Sequence, residues 1–268
     1  MGAIRPPAVA GRFYPADAAR LRAMVDRFVA EAGGHADRLP KAVIAPHAGY
    51  VYSGPTAGHA FAAISPYGPQ IRRVVVIGPA HFVPIRGLAV PSAESFRTPL
   101  GDVPLDREAI AAIRGLPQVV LADAPHAPEH ALEVELPFLQ NVVGEFALVP
   151  LVVGDASAEE VAGVLGRLWD GPDTLIVISS DLSHYETHAC ASEHDAATAA
   201  AIERFDHAAL GPRDACGHLP IAGLLVDARR REMQIERLDL RNSGDTAGPK
   251  DQVVGYGAWA FHALSGVT

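Results

Sequence analysis

The sequence predicts an α/β fold with a mainly parallel central sheet flanked by helices. Apolar, β-branched runs alternate along the chain with helix-like stretches, the pattern of strands joined by helical crossovers. The 268 residues contain no Ser/Gly-rich linker, so one domain over residues 1–268 is expected. An apolar fraction of 49% lets a chain of this length build its core without disulfides.

The expected strands are residues 42–45, 73–77, 87–90, 146–153, 174–179, 234–240 and 253–261. The expected helices are 16–32, 56–64, 106–114, 129–143, 157–168, 189–205 and 220–231. Asp17 is placed to cap the first helix, where Leu21, Met24, Val25 and Phe28 share one face. Leu132, Leu136, Leu139 and Val143 likewise share a face of 129–143, and Pro137 is expected to interrupt or kink that helix. Ser157 and Glu160 have the spacing of a capping box. Residues 243–251, with Gly244, Gly248 and Pro249, read as a mobile loop.

Composition removes several function classes. The net charge is −9, and no Lys/Arg block offers an electrostatic footprint for nucleic acid or an anionic membrane. No apolar run approaches the ~18 residues that span a bilayer, and residues 1–15 lack the apolar core of a signal peptide. Met1-Gly2 is a myristoylation-like start, but Pro6 stands where Ser or Thr is required. Cys190 and Cys216 are the only cysteines and are expected as reduced thiols. The expected location is cytoplasmic.

Three apolar runs end alike. Val43-Ile44-Ala45-Pro46 leads into His47, and Val74-Val75-Val76-Ile77-Gly78-Pro79-Ala80 leads into His81. Leu175-Ile176-Val177-Ile178-Ser179-Ser180 leads into Asp181, with His184 three residues later. Ligands of open parallel sheets bind outside the carboxyl ends of the strands. If these three strands are neighbours, His47, His81, Asp181 and His184 meet in one pocket. Two imidazoles plus a third ligand make a common metal set, although a lone loop histidine is more often a satisfied side chain than a ligand.

Cys216 precedes a helix opened by Pro220. A helix N-terminus lowers a thiol pKa and favours the thiolate that binds metals; a small buried apolar residue is the plainer role. Glu129 suits the dipole of the helix it opens, and the adjacent His130 is within reach of the same crevice.

These segments resemble the Memo family, also called AmmeMemoRadiSam system protein B in prokaryotes. The resemblance rests on Pro46-His47-Ala48-Gly49-Tyr50 with Tyr52-Ser53-Gly54, Gly78-Pro79-Ala80-His81, and Glu129-His130-Ala131-Leu132-Glu133. It continues through Ser179-Ser180-Asp181-Leu182-Ser183-His184 and Cys216-Gly217 with Pro220-Ile221, and it begins at Ala10-Gly11-Arg12-Phe13-Tyr14-Pro15. It implies the LigB-like fold of the class III extradiol dioxygenases. It also implies iron or copper, with zinc as a substitute, on His47, His81 and Cys216. Asp181 and His184 would be the catalytic residues, with His184 as acid/base. Phe13, Tyr52 and His130 would contact substrate or a peptide. The family's name implies an AMMECR1-like protein and a radical SAM protein as partners.

One departure bears on chemistry. Extradiol enzymes use two His and one carboxylate, whereas Cys216 supplies a softer, oxidisable sulfur here. Three functions therefore compete: a dioxygenase-like redox enzyme, a peptide- or ligand-binding module built on a dioxygenase pocket, and a zinc hydrolase. Oxygen consumption marks the first, and zinc activity indifferent to oxygen marks the third.

Overall fold

Strands buried on both faces need a helical layer on each side. The computed structural model describes residues 3–33 and 37–264 and has this arrangement; the Met1-Gly2 pair lies outside the described residues. Its strands are β1 (Ile4–Arg5), β2 (Ala42–Ala45), β3 (Arg73–Pro79), β4 (Leu88–Val90), β5 (Ser95–Thr98) and β6 (Gly101–Pro104). They continue with β7 (Val119–Leu121), β8 (Ala147–Val153), β9 (Thr174–Ser179), β10 (His184–Glu186), β11 (Gln234–Asn242) and β12 (Val253–His262). The helices are α1 (Ala18–Ala32), α2 (Tyr50–Ile64), α3 (Arg107–Ile113), α4 (Ala131–Val142), α5 (Ala158–Leu168), α6 (His188–Glu203) and α7 (His218–Arg230).

The centre of the sheet runs β2-β9-β3-β8, all parallel. Apart from Arg73 and Ala147, every residue of these four strands is buried. The margins turn antiparallel, with β12 on β2 and β4 on β8. β10 and β11 both pair with β12, and β7 pairs with β4. A separate small sheet has the order β1-β5-β6. Helices α1, α2 and α4 pack together, as do α3, α5 and α7, while α4 and α7 both pack against β3 and β9. The result is a central sheet flanked by helices, the architecture expected of the LigB-like fold. No helix among the described residues is long and apolar enough to cross a membrane.

Local signals held at the helix starts. The Asp17 carboxylate accepts from Arg20 N at 2.9 Å, and Ser157 and Glu160 form the reciprocal capping box. Helix α2 begins six residues earlier than expected and runs through Gly54 and Pro55. Gly54 and Gly58 are helix-contact residues. A Cβ at Gly54 would lie 2.3 Å from the Phe28 ring, and one at Gly58 would lie 2.5 Å from the Phe28 carbonyl oxygen. Only glycine lets α1 come this close. Helix α4 also continues through Pro137, giving up one internal hydrogen bond. Part of the expected 243–251 loop is ordered: Ser243–Asp245 forms a 3-10 turn capped by Asn242. The unexpected strands β1, β5, β6, β7 and β10 are two to four residues long, too short for a periodic signal.

Candidate metal centre

The order β2-β9-β3 places three strand ends side by side. His47 follows β2, Asp181 follows β9 and His81 follows β3, so the expected convergence is present at the carboxyl edge of the sheet. The fourth contributor arrives from the loop before α7. Cys216 N donates to Asp181 O at 3.3 Å and Gly217 N to Ser180 Oγ at 2.9 Å, docking the loop on the end of β9. A Cβ on Gly217 would sit 2.6 Å from that of Ser180, so this approach requires glycine. Strand β10 pairs with the start of β12 and carries His184 to the rim.

His47 Nε2 lies 3.3 Å from Cys216 Sγ, and the His47 and His81 ring centroids are 5.2 Å apart. One ligand atom from each of His47, His81 and Cys216 lies within 4.8 Å of the others. Bonds of ~2.0–2.3 Å in a tetrahedral site put neighbouring donors roughly 3.5 Å apart. The His47–Cys216 separation meets that requirement, and imidazole with sulfur suits iron, copper or zinc.

Both rings are anchored through Nδ1. His81 Nδ1 bonds Glu129 Oε1 at 2.8 Å, while His81 N donates to Glu129 Oε2 at 2.7 Å. Glu129 also accepts from the amides of His130 and Ala131 at the start of α4, each at 2.9 Å. Burial alone would raise its pKa, but the bonds and charge of His81 and these amides outweigh burial and hold it at about 2. An ionised Glu129 takes the Nδ1 proton's hydrogen bond and leaves His81 Nε2 for the cavity. Sequence reasoning read Glu129 only as a helix-dipole residue and missed this orienting role.

His47 is 1% exposed, and its Nδ1 lies 2.8 Å from Ser179 Oγ. Burial, then the neighbouring His81, pushes its pKa down to about 3, so the ring is neutral. Asp181 does not face the imidazoles with both oxygens: Oδ1 accepts the backbone N–H of His47 at 2.8 Å and of Ala48 at 3.3 Å. Burial raises its pKa. Cys216 requires a correction. Its helix was expected to lower the thiol pKa, but burial, then the Asp181 charge, pushes it up to about 12. These effects outweigh the dipole, and a thiolate there needs a cation beside it.

A cavity of about 740 Å³ opens over these donors. Phe13, His130 and His184 line it, with Tyr185, Glu186 and Arg213 towards the mouth. His130 stacks on His81 with centroids 4.6 Å apart and meets the Phe13 ring edge-on at 4.8 Å. Burial, then His47, lowers the His130 pKa to about 4. Tyr52 does not line the cavity; it stands on the first turn of α2, 38% exposed, beside Gly49.

His194 on α6 ties two walls together. Its Nδ1 lies 3.0 Å from Glu186 Oε1 on β10, and its Nε2 lies 2.7 Å from Asp214 Oδ1 on the Cys216 loop. Only the imidazolium donates from both nitrogens, and the Asp214 bond, outweighing partial burial, raises its pKa. A raised folded-state pKa contributes stability that is fully present below the unfolded value of ~6.5 and lost as pH rises through the folded value. His194→Ala is therefore expected to lower the melting temperature more at about pH 5.5 than at about pH 8.5. Equal losses at both pH values in thermal scans would contradict the charged clasp.

Similarity to known proteins identifies the family. A family model described as Memo-like protein matches residues 5–260. A MEMO1 family protein of Nitrosopumilus maritimus is 34% identical over 275 residues, covering 96% of this chain and 99% of the relative. Another from Methanopyrus kandleri is 35% identical over 280 residues, covering 96% and 98%. One from Sulfolobus acidocaldarius is 34% identical over 277 residues, covering 94% and 97%. The match of family model and relatives over almost the whole length means that this chain belongs to the Memo-like protein family.

Proposed function

We propose that His47, His81 and Cys216 hold an iron or copper ion, and that the chain is a dioxygenase-like redox enzyme acting on oxygen and an organic substrate. The observation that carries this reading is the meeting of two imidazoles and a sulfur from three separate chain segments, each ring anchored through Nδ1. Residues held at strand ends give the rigidity a metal site needs. The family match over residues 5–260 supports reading the whole chain as one domain around this site.

A bound iron or copper ion supplies Lewis acidity and one-electron chemistry that the side chains lack. The protein supplies position and protons. Asp181 fixes the His47 backbone, Glu129 fixes His81, and Phe13 with the stacked His130 walls off one side of the cavity. His184, half-buried on the cavity lining, is the group placed to move a proton to or from substrate.

Two measurements test the reading. Protein purified anaerobically from its native host should carry about one iron or copper ion per chain, and it should consume oxygen with a turning-over substrate. His184→Ala should keep its metal and lose turnover by about 10²–10⁴-fold; unchanged turnover removes the proton-transfer role. A ligand-binding module is the second reading, favoured by Phe82 and Tyr185, which are 55% and 72% exposed. Tyr185 lines the cavity mouth and Phe82 packs beside His81 and His130. Saturable ligand binding without oxygen uptake by the metal-loaded protein decides for that reading.

A further inference from the structure

Helix α4 buries two glutamates, and only one of them has a cation. Glu133 faces Arg5. Glu135 is also fully buried, but its partner is a hydroxyl: Oε1 lies 2.7 Å from Ser179 Oγ, and Oε2 has no hydrogen-bond partner. A carboxylate in such surroundings is costly unless paired, and a neutral acid is the form burial favours.

The hydrogen-bond count at Ser179 reaches the same protonation state independently. Ser179 Oγ has three polar neighbours: Ala131 O at 2.7 Å, Glu135 Oε1 at 2.7 Å and His47 Nδ1 at 2.8 Å. A hydroxyl has one proton and two lone pairs. The Ala131 carbonyl can only accept, so it takes the hydroxyl proton. The two lone pairs then need two donors, Nδ1–H of His47 and O–H of Glu135. An ionised Glu135 would compete for the single proton and leave two bare oxygens facing each other across 2.7 Å. With Nδ1 protonated, His47 Nε2 carries a lone pair and faces Cys216 Sγ at 3.3 Å.

We propose that Glu135 is a positioning residue: a carboxylic acid that donates to Ser179 and, through it, holds His47 in the tautomer that turns Nε2 towards the metal. This rests on the metal reading above. The chain of command runs from α4 through the last residue of β9 to His47, the second residue after β2, so the docking of one helix sets the donor state of a ligand at the end of a neighbouring strand.

Cobalt(II) titration under anaerobic conditions tests it, using the thiolate–cobalt absorption band as the probe. Glu135→Gln keeps a donor within reach of Ser179 and should bind cobalt within about threefold of wild type. Glu135→Met and Ser179→Ala should weaken cobalt binding by about 10–100-fold, the usual effect of losing a partner behind a metal-binding His. Infrared spectra of the metal-free wild type at neutral pH should contain a band of an un-ionised carboxylic acid that disappears in Glu135→Gln. Equal cobalt affinity in wild type and Ser179→Ala overturns the positioning role. A wild-type spectrum without the acid band overturns the donor assignment, and both results stand even if Glu135→Met fails to fold. A wild type that binds no cobalt sinks the metal reading itself, and the positioning role with it.

Discussion

Cys216→Ala is expected to take the metal content from about one ion per chain to about none, while the protein stays folded. The sulfur is one of three donors, and the remaining two imidazoles hold a divalent ion weakly. The fold should survive because Cys216 is docked by backbone bonds that alanine keeps, Cys216 N to Asp181 O and Gly217 N to Ser180 Oγ. Loss of one buried sulfur from a packed loop costs only about 1 kcal/mol. His47→Ala should abolish metal binding equally, yet with a larger structural penalty, because it empties the space of a buried ring and takes from Ser179 Oγ one of its three buried partners. Elemental analysis beside circular dichroism separates the two effects. Full metal stoichiometry in folded Cys216→Ala and His47→Ala proteins would remove the assignment.

The strand-end histidines and Asp181 were legible because each ends a long β-branched run, and the order β2-β9-β3 makes neighbours of those runs. What lies behind the ligands was not legible. Glu129, Ser179 and Glu135 act through where α4 docks against β3 and β9, a tertiary fact with no local signature. Periodicity assigned Leu132, Leu136 and Leu139 to the core and was right, but it gave no reason for Glu133 and Glu135 to be buried beside them. The thiol argument failed for a related reason: a helix dipole is local, whereas the burial of Cys216 and its approach to Asp181 come from a loop closing over β9. The start of α2 was misplaced because Gly54 and Pro55 are poor helix formers, while in space Gly54 and Gly58 make room for Phe28. The parallel centre was readable from alternation; the antiparallel margins depend on long-range pairings, as when β12 returns from the chain end to β2.

Glu133→Ala is expected to destabilise the protein by about 3–5 kcal/mol, the cost of leaving a buried charge unpaired. Glu133 is fully buried and collects the Arg5 guanidinium, the Tyr14 hydroxyl, Ala8 N at 2.7 Å and Val9 N at 3.0 Å. Burial and the Glu133 charge push the Tyr14 pKa up, so its hydroxyl remains a donor. Alanine would strand four donors at once. For a chain of this size the loss corresponds to a melting-temperature drop of roughly 10 °C. Arg5→Met should cost less, because Glu133, though it loses its cation, keeps three hydrogen-bond donors, the Tyr14 hydroxyl and the amides of Ala8 and Val9. The consequence reaches the site. The segment that Glu133 gathers carries Phe13, whose ring packs on His130 and whose carbonyl accepts from Tyr50 N at 2.8 Å. Glu133→Ala should therefore loosen one cavity wall while leaving His47, His81 and Cys216 intact, weakening ligand binding more than metal binding. Thermal and urea unfolding beside cobalt titration measure both. A Glu133→Ala protein as stable as Arg5→Met would mean that the N-terminal segment is held by packing and not by this carboxylate.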